Sequence, residues 1–382
     1  EQGYAAVTVP DRRWTRVDIK SIALLPNCLA QQAAVDAGVD DALLVRDGIA
    51  LEGSHNNFFA VFGGTVVTHP ASNLILHGIT REYVLELCDD LRIPVELRPV
   101  MVEELPRAAV MTGPLLSNPS LLDVGLSPVT SDPDRIEAHL PDVSDVEAIL
   151  VGHGHYDHLM DVPYIALHRA PRAVIYGNAT TAHQLAPFGL GDRVRVVLDQ
   201  AGSVERPGRW IDVAPGVRVM PLLSDHAPHL AGVTLFSGVR TRDMPRRPRA
   251  AGEWLDGRTL AFLIDVLTAD GSVGLRIYFQ DAVAAPPLGF APPLEDGVGV
   301  DVAIIVPATY AEVDWQPEAL LDNLAPRHVL LCHWEDFFEP PSRPPHPVPF
   351  TLLPDFVARL ERALPEGVGW HLPVAGARFV FH

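Results

Sequence analysis

The sequence predicts a mixed α and β chain with room for two domains, and three observations carry that expectation. At 382 residues it is longer than one ordinary domain. From about residue 146 onward, short apolar runs of strand length alternate with segments of helical periodicity. One of those runs, residues 148–151, leads into VGHGHYDHLMD at residues 151–161, which sets three histidines and an aspartate within six residues at a strand end.

Composition removes several function classes. A formal charge of −19 argues against a nucleic-acid surface, because phosphate binding needs a basic face. The three cysteines, Cys28, Cys88 and Cys332, are too few and too scattered for a disulfide framework, which suits a reducing compartment and makes the cytoplasm the default. No stretch is long and apolar enough to span a bilayer; residues 275–294 come nearest and are interrupted by Arg276, Asp281 and several prolines. No signal peptide is visible, and a start at Glu1 rather than Met leaves room for a lost leader or upstream segment.

In chain order, residues 5–9 read as a strand, Pro10-Asp11 as a turn, and residues 13–21 as a polar stretch ending near Lys20. Lys20 is the only lysine in the sequence. A lysine kept where every other basic side chain is arginine suggests chemistry that needs an amine able to lose its proton and condense with an aldehyde. A helix is expected from Gly78 to about Leu91, and a strand over residues 108–111.

Residues 6–112 resemble the large domain of fold-type IV pyridoxal-phosphate enzymes, nearest to D-amino-acid aminotransferases and more distantly to branched-chain ones. The resemblance rests on DIKSIALLPN (18–27), ALEGSHNNFF (50–59) and LILHGITREYVLEL (74–87). It implies that Lys20 holds the cofactor through its amine. Glu52 would then face the pyridine nitrogen, and Gly78, Ile79 and Thr80 would present N–H groups and a hydroxyl to the phosphate at a helix start. Such enzymes pair through this domain, so a homodimer is implied. Three features depart from the family: the small N-terminal domain is absent, the second phosphate loop begins as Thr112-Gly113 and turns into Pro114, and the remainder of the large domain is missing.

Histidines at such density need partners for every ring nitrogen, and a cation would collect them. The spacing of His153, His155, Asp157 and His158 resembles the signature of the metallo-β-lactamase superfamily, nearest to its lactonase-like and phospholipase-D-like members. Further candidates follow apolar runs in the family's order: His226 in LLSDHAPH, Asp281 in RIYFQDA and His333 in VLLCHWEDFF. The resemblance implies that His153, His155 and His226 hold one divalent ion and Asp157, His158 and His333 a second, with Asp281 between them and Asp157 and Asp281 catalytic. Zn²⁺ is the favoured metal, although His and Asp ligands also accept Mn²⁺ or Fe²⁺. His229 is the rival to His226. A water shared by two ions would be acidified and attack an ester, lactone, amide or phosphodiester of a small-molecule substrate.

The later elements are expected as helices at 161–169, 180–186, 317–323 and 353–363, and strands at 173–176, 194–198, 217–222, 260–264, 275–279, 302–306 and 329–331. Periodicity alone says mixed α and β; the superfamily resemblance implies an αββα sandwich over residues 113–382, preceded by the partial aminotransferase domain over residues 1–112. The join near residues 111–116 clips both modules, as a gene fusion or an assembly artefact would. Arg240, Arg242, Arg246, Arg247 and Arg249 read as a solvated loop rather than as a guide for anions. Trp334, Phe337 and Phe338 are candidates either for an apolar pocket or for core packing.

Overall fold

The computed structural model describes residues 6–105 except 38 and 63, residues 109–379 except 127, 230, 231, 269 and 270, and residue 381. The chain divides into two compact units, Glu1–Arg107 with Thr268–Ser272 and Ala108–Leu267 with Val273–His382.

The first unit contains β1 (Ala6–Pro10), α1 (Leu25–Asp36), β2 (Asp41–Arg46), β3 (Ile49–Gly53), β4 (Ala60–Phe62), β5 (Thr65–Thr68), α2 (Ile79–Asp90), β6 (Val95–Leu97) and β7 (Val100–Met101). One sheet has the order β1-β2-β3-β7 and the other β4-β5-β6. Asp47 and Gly48 turn β2 into β3 with φ of 53° and 76°, as a two-residue hairpin with right-handed strand twist requires. The helix α1 lays Ala30 and Ala34 on Ala42 and Leu44 of β2, small residues that allow close approach.

The second unit runs β8 (Ala109–Thr112), α3 (Leu121–Leu126), α4 (Pro133–His139), β9 (Val146–Leu150), α5 (Tyr156–Leu159), α6 (Val162–His168), β10 (Val174–Gly177), α7 (Ala179–Leu185), β11 (Val194–Val196), β12 (Ile211–Ala214), β13 (Val217–Leu223), β14 (Leu260–Leu267), β15 (Val273–Phe279), β16 (Val302–Ile305), α8 (Glu318–Leu324), β17 (His328–Leu331), α9 (Leu353–Ala363) and β18 (Gly369–His371). Its sheets have the orders β11-β10-β9-β8 and β12-β13-β14-β15-β16-β17-β18.

Strand alternation builds four layers. From β9, Ala148 and Leu150 pack with Val219, Phe262 and Phe279 between the sheets, while Ile149 packs outward with Ile165 of α6 and Leu185 of α7. On the second sheet Leu263, Ala303 and Leu331 face the other way, against Leu321 of α8 and Phe356 of α9. The helix α9 buries Leu353, Phe356 and Leu360, a spacing that keeps one stripe toward the core. β13 and β15 both run antiparallel to β14, and β15, β16 and β17 run parallel. The C-terminal ends of β13, β15 and β17 therefore leave one edge of the sheet.

The strand expected at 108–111 is β8, and its place differs from the expected division after residue 112. Ala109–Thr112 pairs in parallel with β9, matching Thr112 to Leu150, and the units divide between Arg107 and Ala108. Its backbone groups find their partners in the second unit's sheet.

Candidate active site

The motif after β9 and the three strand ends beyond it bring their side chains together. His153 Nε2 lies 3.0 Å from His155 Nδ1, close to the roughly 3.3 Å that separates two nitrogens at about 2.05 Å from one tetrahedral Zn²⁺. The ligand atoms of His153, His155 and His226 lie within 4.8 Å of one another, as do those of His153, Asp157 and His158. Asp281, leaving β15, reaches both groups: its Oδ2 lies 2.6 Å from His153 Nδ1 and its Oδ1 3.3 Å from His158 Nδ1. His333 falls in neither tight group, but its Nε2 lies 3.3 Å from Asp157 Oδ2. Its φ of 54° is a left-handed conformation that a non-glycine residue adopts at some cost, as at many functional sites.

His226 and its rival His229 stack at 4.5 Å. His226 Nδ1 donates to the Ala227 carbonyl at 2.6 Å, which leaves Nε2 for a ligand bond. His229 Nδ1 instead accepts the Leu235 N–H at 3.0 Å, so His229 is tied to its own loop.

Electrostatics fit a cation. His155 and His226 are buried among other imidazoles, and burial first, then those neighbours, hold both well below the ordinary histidine range; they are neutral, as a metal ligand must be. Burial also opposes charge on His158, but Asp281 and Asp157 outweigh it and push its pKa up to about 10. Burial alone would raise the two carboxylates; His158 overrides it and holds both below their usual range, Asp157 well below. Among the described residues His155 Nε2 is buried without a hydrogen-bond partner, and Asp281 Oδ1 has the His158 ion pair at 3.3 Å but no close hydrogen bond. The donor set therefore fits one or two divalent ions, and a cation would take over the role of the His158 proton.

Sequence reasoning overlooked what holds the motif in place. A Cβ on Gly152 would meet Asp281 Cβ at 2.3 Å, and one on Gly154 would meet the Leu255 carbonyl at 2.4 Å, so both glycines permit backbone approach. Asp161 is fully buried and accepts N–H groups of Leu116 and Ser117 at 2.7 and 2.8 Å and the Ser117 hydroxyl at 2.5 Å. The Gly-x-Gly spacing and the Asp that closes the motif were the available signals. Of the basic loop, Arg246 pairs with Glu253 and Arg247 lies over Phe188, which ties these two to their own surroundings. Trp334 is buried and donates to the Pro373 carbonyl, whereas Phe337 packs edge-on against His333 at 4.8 Å.

In the first unit Glu52 is buried in β3 and forms an ion pair with Arg13. Its Oε2 accepts from Asn57 Nδ2 and the Leu76 N–H, each at 3.0 Å. Burial raises the Glu52 pKa, against the pull of Arg13. Asn57 also donates to the Leu76 carbonyl at 2.8 Å, and a Cβ on Gly78 would strike Asn57 Oδ1 at 2.3 Å. Glu52 is thus joined through one asparagine to the start of α2, where Ile79 is 86% exposed and Gly78 supplies no side-chain cap. Lys20 is exposed; its segment is sewn to the loop before α2 by Val17 N–H to the Asn73 carbonyl at 2.9 Å and Asn73 Nδ2 to the Thr15 carbonyl at 2.8 Å. The carboxylate and the helix start fit a ring nitrogen and a phosphate, with Arg13 already sharing the carboxylate. Thr112-Gly113 lies in the other unit, where a Cβ on Gly113 would meet the His158 carbonyl at 2.6 Å.

Residues 2–115 match the class IV aminotransferase family. Over 105 residues the chain is 41% identical to a D-alanine aminotransferase of Bacillus licheniformis, covering 28% of this chain and 37% of that protein. A branched-chain aminotransferase of Thermoproteus uzoniensis, solved with norvaline, aligns at 34% identity over 27% of this chain and 37% of that one, with a TM-score of 0.26. An aminotransferase of Brucella abortus bound to pyridoxal phosphate aligns at 26% identity over 27% and 39%, also with a TM-score of 0.26. The chain spans well under half the length of these relatives. Its N-terminal part is similar to aminotransferase sequence, and the match runs through β8, a strand of the second unit. Among the described residues no helix is long and apolar enough to cross a membrane.

Proposed function

We propose that the second unit is a metal-dependent hydrolase of metallo-β-lactamase type. The observation that carries this reading is the convergence of His153, His155, Asp157, His158, His226, Asp281 and His333, from four separate strand ends, on one largely buried cluster. His153, His155 and His226 would hold one ion, and Asp157, His158 and His333 the other, with Asp281 between them. When bound, two divalent ions, Zn²⁺ by preference for this donor set, acidify a water and polarise a carbonyl or phosphoryl oxygen. Asp281 fixes the tautomer of His153 by accepting from Nδ1, the Ala227 carbonyl does the same for His226, and Phe337 shields the edge of His333 from water. Ester, lactone, amide and phosphodiester cleavage all fall within this chemistry. The test is metal content by mass spectrometry together with ester hydrolysis in the wild-type, His155→Ala and Asp281→Ala chains. Both variants should lose metal and at least 100-fold in turnover, since even partners outside the ligand set typically cost about 10–100-fold. Full metal and turnover in His155→Ala would sink the assignment.

A second reading is favoured by the sequence match of residues 2–115: pyridoxal-phosphate-dependent transfer of an amino group, with a D-amino acid or a branched-chain amino acid as substrate. Lys20 would hold the cofactor, Glu52 would keep the ring nitrogen protonated, and Gly78, Ile79 and Thr80 would take the phosphate; the cofactor supplies an electron sink. In this reading the unit also pairs with a second copy. Borohydride reduction in the presence of pyridoxal phosphate should label Lys20, the sole lysine; an unlabelled chain would leave the aminotransferase segment as a remnant or a dimerising surface.

A further inference from the structure

The candidate metal cluster lies where two cavities meet, a smaller apolar one and a larger one of mixed lining. One has a volume of about 280 Å³ and is walled by Val124, Leu235, Phe236, Phe338, Val348 and Phe350. The other, about 870 Å³, has a mixed wall, in which Asn118, Glu335, Asp336 and Arg343 stand among Leu115, Leu116 and several prolines. Asp157, His158, Asp281, Val306, His333 and Phe337 border both. Four of those six are candidate metal ligands, and the other two, Val306 and Phe337, are apolar. Phe337 stands edge-on to His333 at 4.8 Å and packs on Phe338 at 4.4 Å. It therefore forms a wall between the cavities directly beside the ligands.

We infer that the substrate is two-limbed, with a compact apolar limb in the smaller cavity, a bulkier and more polar limb in the larger one, and the scissile bond beside Phe337. This rests on the metal-dependent hydrolase reading and names its substrate class: an ester or amide joining a short apolar acyl or aryl group to a polar alcohol or amine. Drug-sized ligands fill cavities of roughly 300–1,000 Å³, so the smaller cavity holds one limb rather than a whole substrate. The basic groups that line the smaller cavity are its histidines, of which His155, His158, His226 and His333 are candidate metal ligands, and in the larger cavity the one arginine, Arg343, is paired with Glu339 at 2.9 Å. Phe337 acts as a specificity residue by separating the limbs.

Binding of straight-chain carboxylic acids from four to twelve carbons, measured by calorimetry on the metal-loaded chain, tests this without turnover. Affinity should rise about fourfold per added CH₂, as burial of each group requires, and level off when the apolar cavity is full. Leu235→Trp narrows that cavity and should move the plateau to shorter acids. Phe337→Ala opens the wall and should abolish the plateau, with Phe337→Leu intermediate and serving as the control for folding. A flat series in the wild type, or a plateau unmoved by Leu235→Trp, would overturn the two-limb assignment. Metal content and short-ester hydrolysis on the same preparations separate that failure from failure of the hydrolase reading: metal and hydrolysis retained with a flat series removes only the limb assignment.

Discussion

At the scale of single residues, the ligand cluster is held without metal by charges that would otherwise be costly to bury. Asp157 and Asp281 face His158, whose pKa is pushed up to about 10. A pKa raised in the folded state stabilises fully below the unfolded value near 6.5 and is lost as pH rises through about 10. The depressed carboxylates stabilise above their unfolded value of 3.8 and lose that contribution as pH falls. His153, His155 and His226, held neutral chiefly by burial, act the other way and add stability as pH rises to about 6.5, so the metal-free chain should be most stable near about pH 6.5 to 7 and should melt at progressively lower temperature from pH 7 to 10. Thermal melts in chelator across that range check the sign, and His158→Ala should flatten the alkaline limb. A metal-free melting temperature that rises toward pH 10 would contradict the arrangement. Asp161 allows a second test: Asp161→Ala leaves the Leu116 and Ser117 N–H groups without their acceptor, which should cost about 1–3 kcal/mol by urea denaturation.

At the scale of elements, the site was legible where ligand chemistry coincides with strand ends. His153, Asp281 and His333 each follow an apolar run in the sequence and each leave a strand, β9, β15 or β17. The geometry between strands was not legible, because it depends on backbone approach that no spacing records: Gly152 is needed for its distance from Asp281, 128 residues away from His153 in sequence. Gly152→Ala should displace Asp281 and lower bound metal about as far as removing a partner of a ligand does, roughly 10–100-fold in affinity; unchanged metal content would show that the close approach can relax. In the first unit α1 was missed because only Ala30 and Ala34 are buried, too faint a stripe to show as periodicity. Arg276 of β15 was read only as an interruption of an apolar stretch. It is 1% exposed and pairs with Asp265 of β14 at 2.7 Å and with Asp296 at 2.7 Å. Arg276→Met would take one of two arginines from the buried Asp265, Arg218 remaining at 2.9 Å, and should cost about 1–3 kcal/mol in chemical denaturation, whereas an isosteric loss of both partners would cost less.

At the scale of the whole chain, the instructive element is β8. The sequence places residues 108–111 with the aminotransferase-like part, and the family match indeed extends to residue 115, yet the strand's hydrogen bonds run to β9. Sequence likeness records descent, whereas the fold records which backbone groups are paired, and a short strand is satisfied by whichever sheet edge it reaches. Val110 and Met111 pack against that sheet's two faces, Val110 with the residues between the sheets and Met111 with the outer cluster. Partial burial of those two side chains is worth on the order of 2–4 kcal/mol. A chain beginning at Ala108 should therefore fold and hold metal like the full protein, while one beginning at Gly113 should unfold at a lower urea concentration by about that free energy and expose the edge of β9 to self-association. Equal midpoints for the two truncated chains, measured in parallel with metal content, would show that the second unit stands without β8 and that the strand belongs in function, as in sequence, to the aminotransferase-like part.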